Sequence, residues 1–220
     1  MESNISTWSV RDLLHETAKG RVQLLDEGRQ VPVSLNTAAA VLDSLRRGAP
    51  LGMLTLTQRV GDGLPVKVVA DGAVRMAVFA GAFLSADVRP AWAPAWLAEL
   101  GYIGLGTDQI GIGVVDPADP TQLPTQAVLQ TRDFLVWERR VREIAPAGTL
   151  GPILQAANHL TKAIYTMMPA VTVFGTDDEV RQVVAQANTG SSSRRSPARQ
   201  PDSWRAGAEA RTVEPVGTAQ

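Results

Sequence analysis

Residues 65–84 place a short strand, a tight turn and a buried helix in direct succession. Residues 65–70, PVKVVA, are rich in β-branched side chains, and residues 76–84, MAVFAGAFL, form an apolar, alanine-rich run. A short β-branched run is typical of a strand, whereas a longer apolar run with many alanines favours a buried helix. The Asp71-Gly72 pair between them is a turn signal. The segment therefore predicts a strand that passes through a tight turn directly into a buried helix.

This strand–turn–helix junction is also a candidate binding site. An aspartate in the position of Asp71 can cap the helix with its carboxylate, and Gly72 permits a backbone geometry that a Cβ atom would hinder. The free N–H groups of the first helical turn attract an anion, whose charge Arg75 could balance. The sequence leaves a simpler interpretation open, in which Asp71 only caps the helix and Arg75 is a surface charge.

The rest of the first half alternates helical and β-rich patterns. Apolar residues recur at helical spacing from Val10, where Ser9 or Thr7 can cap the first helix, and again from Leu35 until Gly48 and Pro50 stop the second run. Residues 61–63, GDG, separate two β-rich runs, as is typical of a hairpin. With the helix after Gly72, these patterns predict a mixed α+β unit. From the first folded element onward, the predicted elements are a helix at 10–19, a strand at 22–25, a helix from 35 and hairpin strands at 51–60 and 65–70.

The second half predicts glycine-rich strands, helices and a late strand. Its glycines do not form G-x-G-x-x-G ahead of a helix, so no dinucleotide site is predicted. Arg139, Arg140 and Arg142 form a charge run that is typical of a solvated helix face, with a phosphate-binding patch as the alternative. The predicted elements are strands at 102–106, 109–115 and 171–174 and helices at 126–141 and 150–168. The predicted core faces of these helices are Leu129, Phe134, Leu135, Trp137 and Val141 in the first, and Ile153, Leu154, Leu160, Ile164 and Met167 in the second.

The chain offers few residues for metal or nucleophilic chemistry. It has no cysteine, which excludes disulfides, thiolate nucleophiles and cysteine-zinc sites. His15 and His159 are its two histidines, and they are too far apart in sequence for an H-E-x-x-H or HNH-type metal cluster. Asp116 and Asp119 lie in a proline-rich turn, where their carboxylates could hold a metal ion or serve only the turn. No metal site is predicted.

Charge and hydropathy predict a cytoplasmic protein that does not enter a membrane and has no overall positive charge to attract nucleic acid. The formal net charge is −1. No apolar run approaches the ~20 residues that span a bilayer, and the N-terminus lacks the basic-then-apolar order of a secretion signal. Residues 191–220 have almost no aliphatic side chains and no periodicity, so they are predicted to be a disordered tail. The predicted folded domain covers residues 1–190.

Several motifs, taken in order, carry a family resemblance. Arg29 precedes a helix that ends in SLRRGAPLG, residues 44–52, and DGAVR follows at residues 71–75. Asn188 and Gly190 stand late in the chain. This order resembles the N-terminal domain of GmrSD-type (type IV) restriction systems, a branch of the ParB/sulfiredoxin-like superfamily. That family has an Arg before a helix ending in Ser-Ile-Leu-x-Gly-x-Pro-Ile-Gly, then Asp-Gly-Gln-Gln-Arg, and a late Phe-x-x-Asn-x-Gly-Gly.

The resemblance implies a ParB/sulfiredoxin-like fold, which is a mixed sheet with packed helices, here with a helical insertion in the second half. It also implies a nucleotide-binding or sensor module of a phage-defence system, with a nucleoside triphosphate and Mg²⁺ as cofactors. Asp71 would be the catalytic residue, orienting a metal ion or a water molecule. The implied phosphate-binding residues are Arg29, Gly72 and Arg75, with Asn188 and Gly190 closing the site from the other side.

The chain departs from the family at the centre of this motif. Ala73 and Val74 stand where the family has two glutamines. Because phosphoryl transfer depends on positioned polar groups, this change predicts weak or lost NTP hydrolysis. No nuclease is predicted within the chain, so a nuclease or another defence protein is expected to act in trans, and the Arg-rich tail is expected to contact DNA weakly. The alternative is a non-enzymatic regulatory or protein-binding module on the same scaffold.

Overall fold

A computed structural model describes residues 2–25, 29–59, 65–105, 110–112, 114–174, 178–182 and 185–186. The chain divides into two units, Met1–Val184 and Ala185–Gln220. The described residues of the second unit are 185 and 186. All elements and sites below belong to the first unit.

The first unit is a mixed α+β structure, as the sequence predicts. Its strands are β1 (Glu2–Ser9), β2 (Val22–Leu24), β3 (Leu54–Arg59), β4 (Val66–Asp71), β5 (Leu100–Gly104), β6 (Ile110–Ile112), β7 (Gln122–Pro124) and β8 (Met167–Phe174). Its helices are α1 (Val10–Ala18), α2 (Leu35–Arg46), α3 (Ala73–Phe83), α4 (Thr131–Ile144) and α5 (Leu150–Ala163), with 3₁₀ segments at Ala95–Glu99 and Thr125–Val128. Among the described residues, no helix is long and apolar enough to cross a bilayer.

A five-stranded mixed sheet carries most of the first half, in the order β1-β8-β3-β4-β2. The predicted hairpin is confirmed, because β3 and β4 pair antiparallel. The predicted late strand joins the same sheet, since β8 runs parallel to β3 and antiparallel to β1. At the other edge β2 runs parallel to β4. The strands β6, β5 and β7 form a second, antiparallel sheet.

The first two helices begin where the sequence predicts, each at a serine cap. The hydroxyl of Ser9 accepts a hydrogen bond from the backbone N–H of Asp12 at 3.0 Å. The hydroxyl of Ser34 accepts one from the N–H of Thr37 at 3.2 Å. Such caps satisfy N–H groups that have no partner within the helix. They therefore fix the residues at which α1 and α2 begin.

Helix α3 lies inside the core rather than on the surface. Every residue from Met76 to Phe83 is buried, and the rings of Phe79 and Phe83 stack with centroids 6.5 Å apart. A helix that is apolar on all sides must be covered on all sides. Here helices α1 and α2 and the two 3₁₀ segments pack against it, and Leu97 of the first 3₁₀ segment lies against Gly81. The end of β4 and the start of α3 are thereby held in one place.

The close packing of α3 leads to a prediction about Gly81. A Cβ atom added there would lie 2.5 Å from Cβ and 2.6 Å from Cδ1 of Leu97. Overpacking costs about 1–3 kcal/mol, and two contacts this short place the cost in the upper part of that range, about 2–3 kcal/mol, which exceeds the gain of up to ~1 kcal/mol from alanine's helix propensity. We therefore expect Gly81→Ala to lower the free energy of unfolding by about 1–2 kcal/mol in urea denaturation. Gly151→Ala is the control, because that helical position has nothing within 4 Å. An unchanged Gly81→Ala protein would contradict this packing.

The structure corrects the predicted helices of the second half. Helix α4 begins at Thr131 rather than at 126, because residues 125–128 form a 3₁₀ turn and Gln130 has an extended backbone. Leu135, predicted to be in the core, is 56% exposed. It lies off the face on which Trp137 and Val141 are buried. Helix α5 ends at Ala163, not at 168.

Two neighbouring strands of the large sheet differ from the sequence prediction. Strand β8 begins at Met167, four residues before the predicted strand 171–174, so residues 167 and 168 belong to it rather than to the predicted helix 150–168. Pro169 explains this, because proline lacks the N–H that a helix interior needs and biases the preceding residue towards extended backbone. Strand β1 precedes the helix that was predicted to start the fold. It pairs with β8 over eight residue pairs, from Glu2 opposite Phe174 to Ser9 opposite Met167.

Candidate functional site

The candidate site lies where two parallel strands end at the same edge of the large sheet. In the parallel pair β2–β4, Leu24 is opposite Val69, so both carboxyl ends point to this edge. Arg29 follows β2 in the chain, and α3 begins directly after β4. In sheets with parallel strands, ligands commonly bind in the crevice outside the carboxyl ends. The topology therefore gathers the predicted residues of the first half at a plausible binding position.

Two adjoining cavities open at this edge. The first, of about 310 Å³, is lined by Arg29 together with residues that follow β2 and end β4. The second, also of about 310 Å³, is lined by the run from Ala70 to Arg75. Ala70 and Ala73 line both cavities. The exposed side chain of Arg29 and the Asp71–Arg75 junction are thus neighbours, although no one cavity is lined by both Arg29 and Arg75.

Gly72, not Asp71, occupies the cap position of α3, which corrects the predicted capping role of Asp71. Gly72 has φ 92°, and no side chain caps the helix. Asp71 is the last residue of β4 and pairs with Thr55, so it is one residue too early to cap. The first intrahelical bond runs from the N–H of Met76 to the carbonyl of Gly72, at 3.1 Å. The residues that carry the N–H groups before it line the second cavity, and no side chain caps these groups.

Arg75 is engaged by the backbone of the segment that leads from α2 into β3. Its Nη1 donates to the carbonyl of Leu51, and its Nη2 donates to that of Met53 at 2.6 Å. Burial of the guanidinium lowers the pKa of Arg75 from its usual range, and the nearby carboxylate of Asp71 opposes that shift. Arginine remains charged nonetheless. This half-buried group therefore positions the chain and is not a free surface charge.

Two glycines make room for this guanidinium. Gly52 has φ 75° and Gly72 has φ 92°, both in the left-handed region that favours glycine. A Cβ atom at Gly72 would lie 2.8 Å from Nη2 of Arg75, and one at Gly52 would collide with Nη1. Arg75 therefore sits between two backbone segments that only glycine allows to approach so closely.

Asn188 and Gly190, predicted to close the site, lie outside the residues that the structure describes. Their roles stay predictions.

The Asp116–Asp119 turn uses its carboxylates for local hydrogen bonds. Asp116 accepts from the N–H of Ala118 at 2.8 Å, and Asp119 accepts from the N–H and the hydroxyl of Thr121 at 2.8 and 2.7 Å. The hydroxyl bond lowers the pKa of Asp119. This is the turn chemistry that the sequence offered as the alternative to a metal site. Among the residues that the structure describes, no group of three or more His, Asp or Glu side chains could hold a metal ion.

Sequence reasoning missed several residues of this edge. Val31 and Pro32 line the Arg29 cavity beside Leu24 and Val69, giving it an apolar wall. The signal for them is weak, because a Val-Pro pair after an arginine is common in loops. Gly52 was noted only as part of the resemblance, and its contact with Arg75 depends on an approach between distant chain segments.

Comparison with protein-family models, curated proteins and solved structures finds no match to this chain.

Proposed function

We propose that this chain binds a nucleotide at the sheet edge formed by β2 and β4, as the sensor module of a GmrSD-like phage-defence system. One observation supports the proposal most: Arg29 lies beside the uncapped N-terminus of α3, in cavities that share Ala70 and Ala73. The motif order described above supports the finer proposals. These are a ParB/sulfiredoxin-like fold for the mixed sheet and a restriction system as the setting.

In this proposal the phosphates bind where the two cavities meet, beside Ala70 and Ala73, and the nucleoside binds in the first cavity. The N–H groups at the start of α3 would donate to phosphate oxygens, and the positive end of the helix dipole would favour the negative charge. Arg29 would neutralise a phosphate from the other side with charge-assisted hydrogen bonds. The apolar wall formed by Val31, Pro32 and Val69 would accept the base, since ligand cavities are mostly apolar.

Mg²⁺ would arrive with the triphosphate rather than reside in the protein. It is usually bound by one or two carboxylates together with substrate phosphates. Asp71 is the one carboxylate among the described residues that line the two cavities. The site can therefore supply the single carboxylate that such binding of Mg²⁺ requires. When bound, the ion would draw negative charge from the phosphates, and Asp71 would hold it or a water molecule.

Weak or lost hydrolysis is part of the proposal. Ala73 and Val74 offer only backbone groups at the position where polar side chains would contact the transition state. Loss of one such group costs about 2–4 kcal/mol of transition-state stabilisation. Binding, in contrast, needs only the backbone N–H groups and Arg29. Cleavage of DNA would then depend on a partner nuclease in trans, with the tail supplying at most a weak DNA contact.

A regulatory or protein-binding module without nucleotide is the second candidate. One observation favours it. Nη1 and Nη2 of Arg75 donate hydrogen bonds to the carbonyls of Leu51 and Met53, so these two nitrogens are not free to bind phosphate. Under this candidate the Asp71–Arg75 junction keeps only its structural role. The two candidates differ in whether the sheet edge binds a nucleotide at all.

Calorimetry with Arg29→Gln separates these candidates. We expect Mg·ATP or Mg·GTP to bind the full chain and Arg29→Gln to weaken that binding at least about tenfold, because a hydrogen bond to a charged group is worth about 1.5–3 kcal/mol. Arg47→Gln is the matched control, since Arg47 is exposed at the end of α2 and pairs with Asp43. Absence of nucleotide binding by the wild-type chain would reject the first candidate and favour the second.

A further inference from the structure

A separate cavity of about 250 Å³ lies between the start of α1, the start of α4 and the end of α5. It shares no lining residue with the two cavities at the sheet edge. Two cationic side chains, Arg11 and Lys162, line it, and among the residues that the structure describes no carboxylate does. A cavity with this balance favours an anion.

Arg11 is held in position before any ligand binds. Its backbone N–H donates to the carbonyl of Ile164 at 2.9 Å. Its Nη1 donates to the hydroxyl of Tyr165, and its guanidinium carbon lies 5.1 Å from the centroid of that ring. Neither contact consumes the positive charge, and a guanidinium has five N–H donors. Arg11 therefore retains donors that can reach a ligand in the cavity.

Lys162 brings the second charge from the last turn of α5. In the described part of the chain neither Lys162 nor Arg11 forms an ion pair. Asn158, Thr161 and Thr131 also line the cavity, and the hydroxyl of Thr161 donates to the carbonyl of Asn158 at 3.0 Å. Two unpaired cations close to hydroxyl and amide groups form a typical set for phosphate.

The first turn of α4 forms the opposite wall. Thr131 and Phe134 line the cavity, and Gln130 at the cap position makes no side-chain hydrogen bond to the helix. The first intrahelical bond runs from the N–H of Phe134 to the carbonyl of Gln130, at 3.0 Å. Phe134, together with Leu129 and Ile164, makes the remaining surface apolar. An anionic group and an apolar body could thus be accommodated side by side.

We propose that this cavity is a second ligand site, which binds a small phosphate ester with an apolar or aromatic body. Arg11 and Lys162 hold the phosphate, and the wall of Leu129, Phe134 and Ile164 holds the body. The inference goes beyond the nucleotide site at the sheet edge, because it rests on other elements and other charges.

Phenyl phosphate is a suitable probe, and phenol is its uncharged counterpart. In calorimetry at low ionic strength we expect the full chain to bind phenyl phosphate and Lys162→Gln to raise its Kd at least about tenfold. Arg11→Gln is expected to act in the same direction. Lys19→Gln is the matched control, because Lys19 pairs with Glu16 on α1 and lines no part of this cavity. Phenol should bind at least about tenfold more weakly than phenyl phosphate.

Arg29→Gln distinguishes this cavity from the sheet edge. It should lower the affinity for phenyl phosphate less than Lys162→Gln does if the ester binds mainly between α4 and α5. A loss of affinity in Arg29→Gln but not in Lys162→Gln would overturn the inference, because it would place the ester at the sheet edge. Failure of the wild-type chain to bind phenyl phosphate at millimolar concentration would overturn it as well. Lys162 is exposed, so Lys162→Gln should fold, and a thermal melt checks this.

Discussion

Arg75→Ala is expected to lower the free energy of unfolding by about 2–4 kcal/mol, because hydrogen bonds to charged groups are worth about 1.5–3 kcal/mol each and this side chain is only half-buried. The substitution removes both bonds to the Leu51 and Met53 carbonyls. In a chain of 220 residues the loss corresponds to a fall in Tm of about 5–15 °C. Urea denaturation and a thermal melt on the same protein would measure it.

Two further variants show whether this loss comes from the bonds rather than from the charge. Arg47→Ala removes an exposed arginine that pairs with Asp43, and surface ion pairs contribute only about 0–1 kcal/mol. Arg75→Lys keeps the charge, yet its single ammonium lacks the planar fork that reaches two carbonyls, so an intermediate loss is expected. If Arg75→Ala instead unfolds like the wild type and binds nucleotide more weakly, Arg75 is a phosphate ligand after all.

The role of Arg75 shows what the sequence could and could not predict about the site. The strand, the turn and the buried helix around it were predictable, since β-branching, an Asp-Gly pair and an apolar run are local signals. Its partners were not, because Leu51 and Met53 lie 24 and 22 residues earlier and contribute main-chain carbonyls. A backbone acceptor carries no residue-type signature. Only the approach of two chain segments reveals it.

The difference between local sequence signals and contacts between distant segments also explains why β1 and the start of β8 were predicted wrongly. Strand β1, with the sequence ESNISTWS, is mostly polar, and Ile5 is 76% exposed. A strand that is specified by its hydrogen bonds to β8 rather than by burial gives no alternating apolar pattern. Pro169, in contrast, was a local signal against a helix through residue 168. It was outweighed by the apolar residues before it, which fit a helix and a strand equally well.

Gly72→Ala is expected to have the largest effect, lowering the free energy of unfolding by about 2–5 kcal/mol, from a left-handed backbone penalty of about 1–2 kcal/mol and an overpacking cost of about 1–3 kcal/mol. Gly72 has φ 92°, and a Cβ atom there would collide with Cδ2 of Leu54 and lie 2.8 Å from Nη2 of Arg75. Leu54 is fully buried, so it cannot move aside freely. Urea denaturation would measure the change.

Gly148→Ala separates the two causes. Gly148 has φ 87°, close to that of Gly72, but nothing lies within 4 Å of a Cβ atom there. It should therefore show the backbone penalty alone, about 1–2 kcal/mol. Equal losses for Gly72→Ala and Gly148→Ala would mean that the approach of Leu54 and Arg75 is not tight.

If the losses differ as expected, combining Gly72→Ala with Arg75→Ala should lower the free energy of unfolding by less than the sum of the two single losses. The first substitution displaces the guanidinium whose bonds the second removes, and residues in contact are coupled in this way.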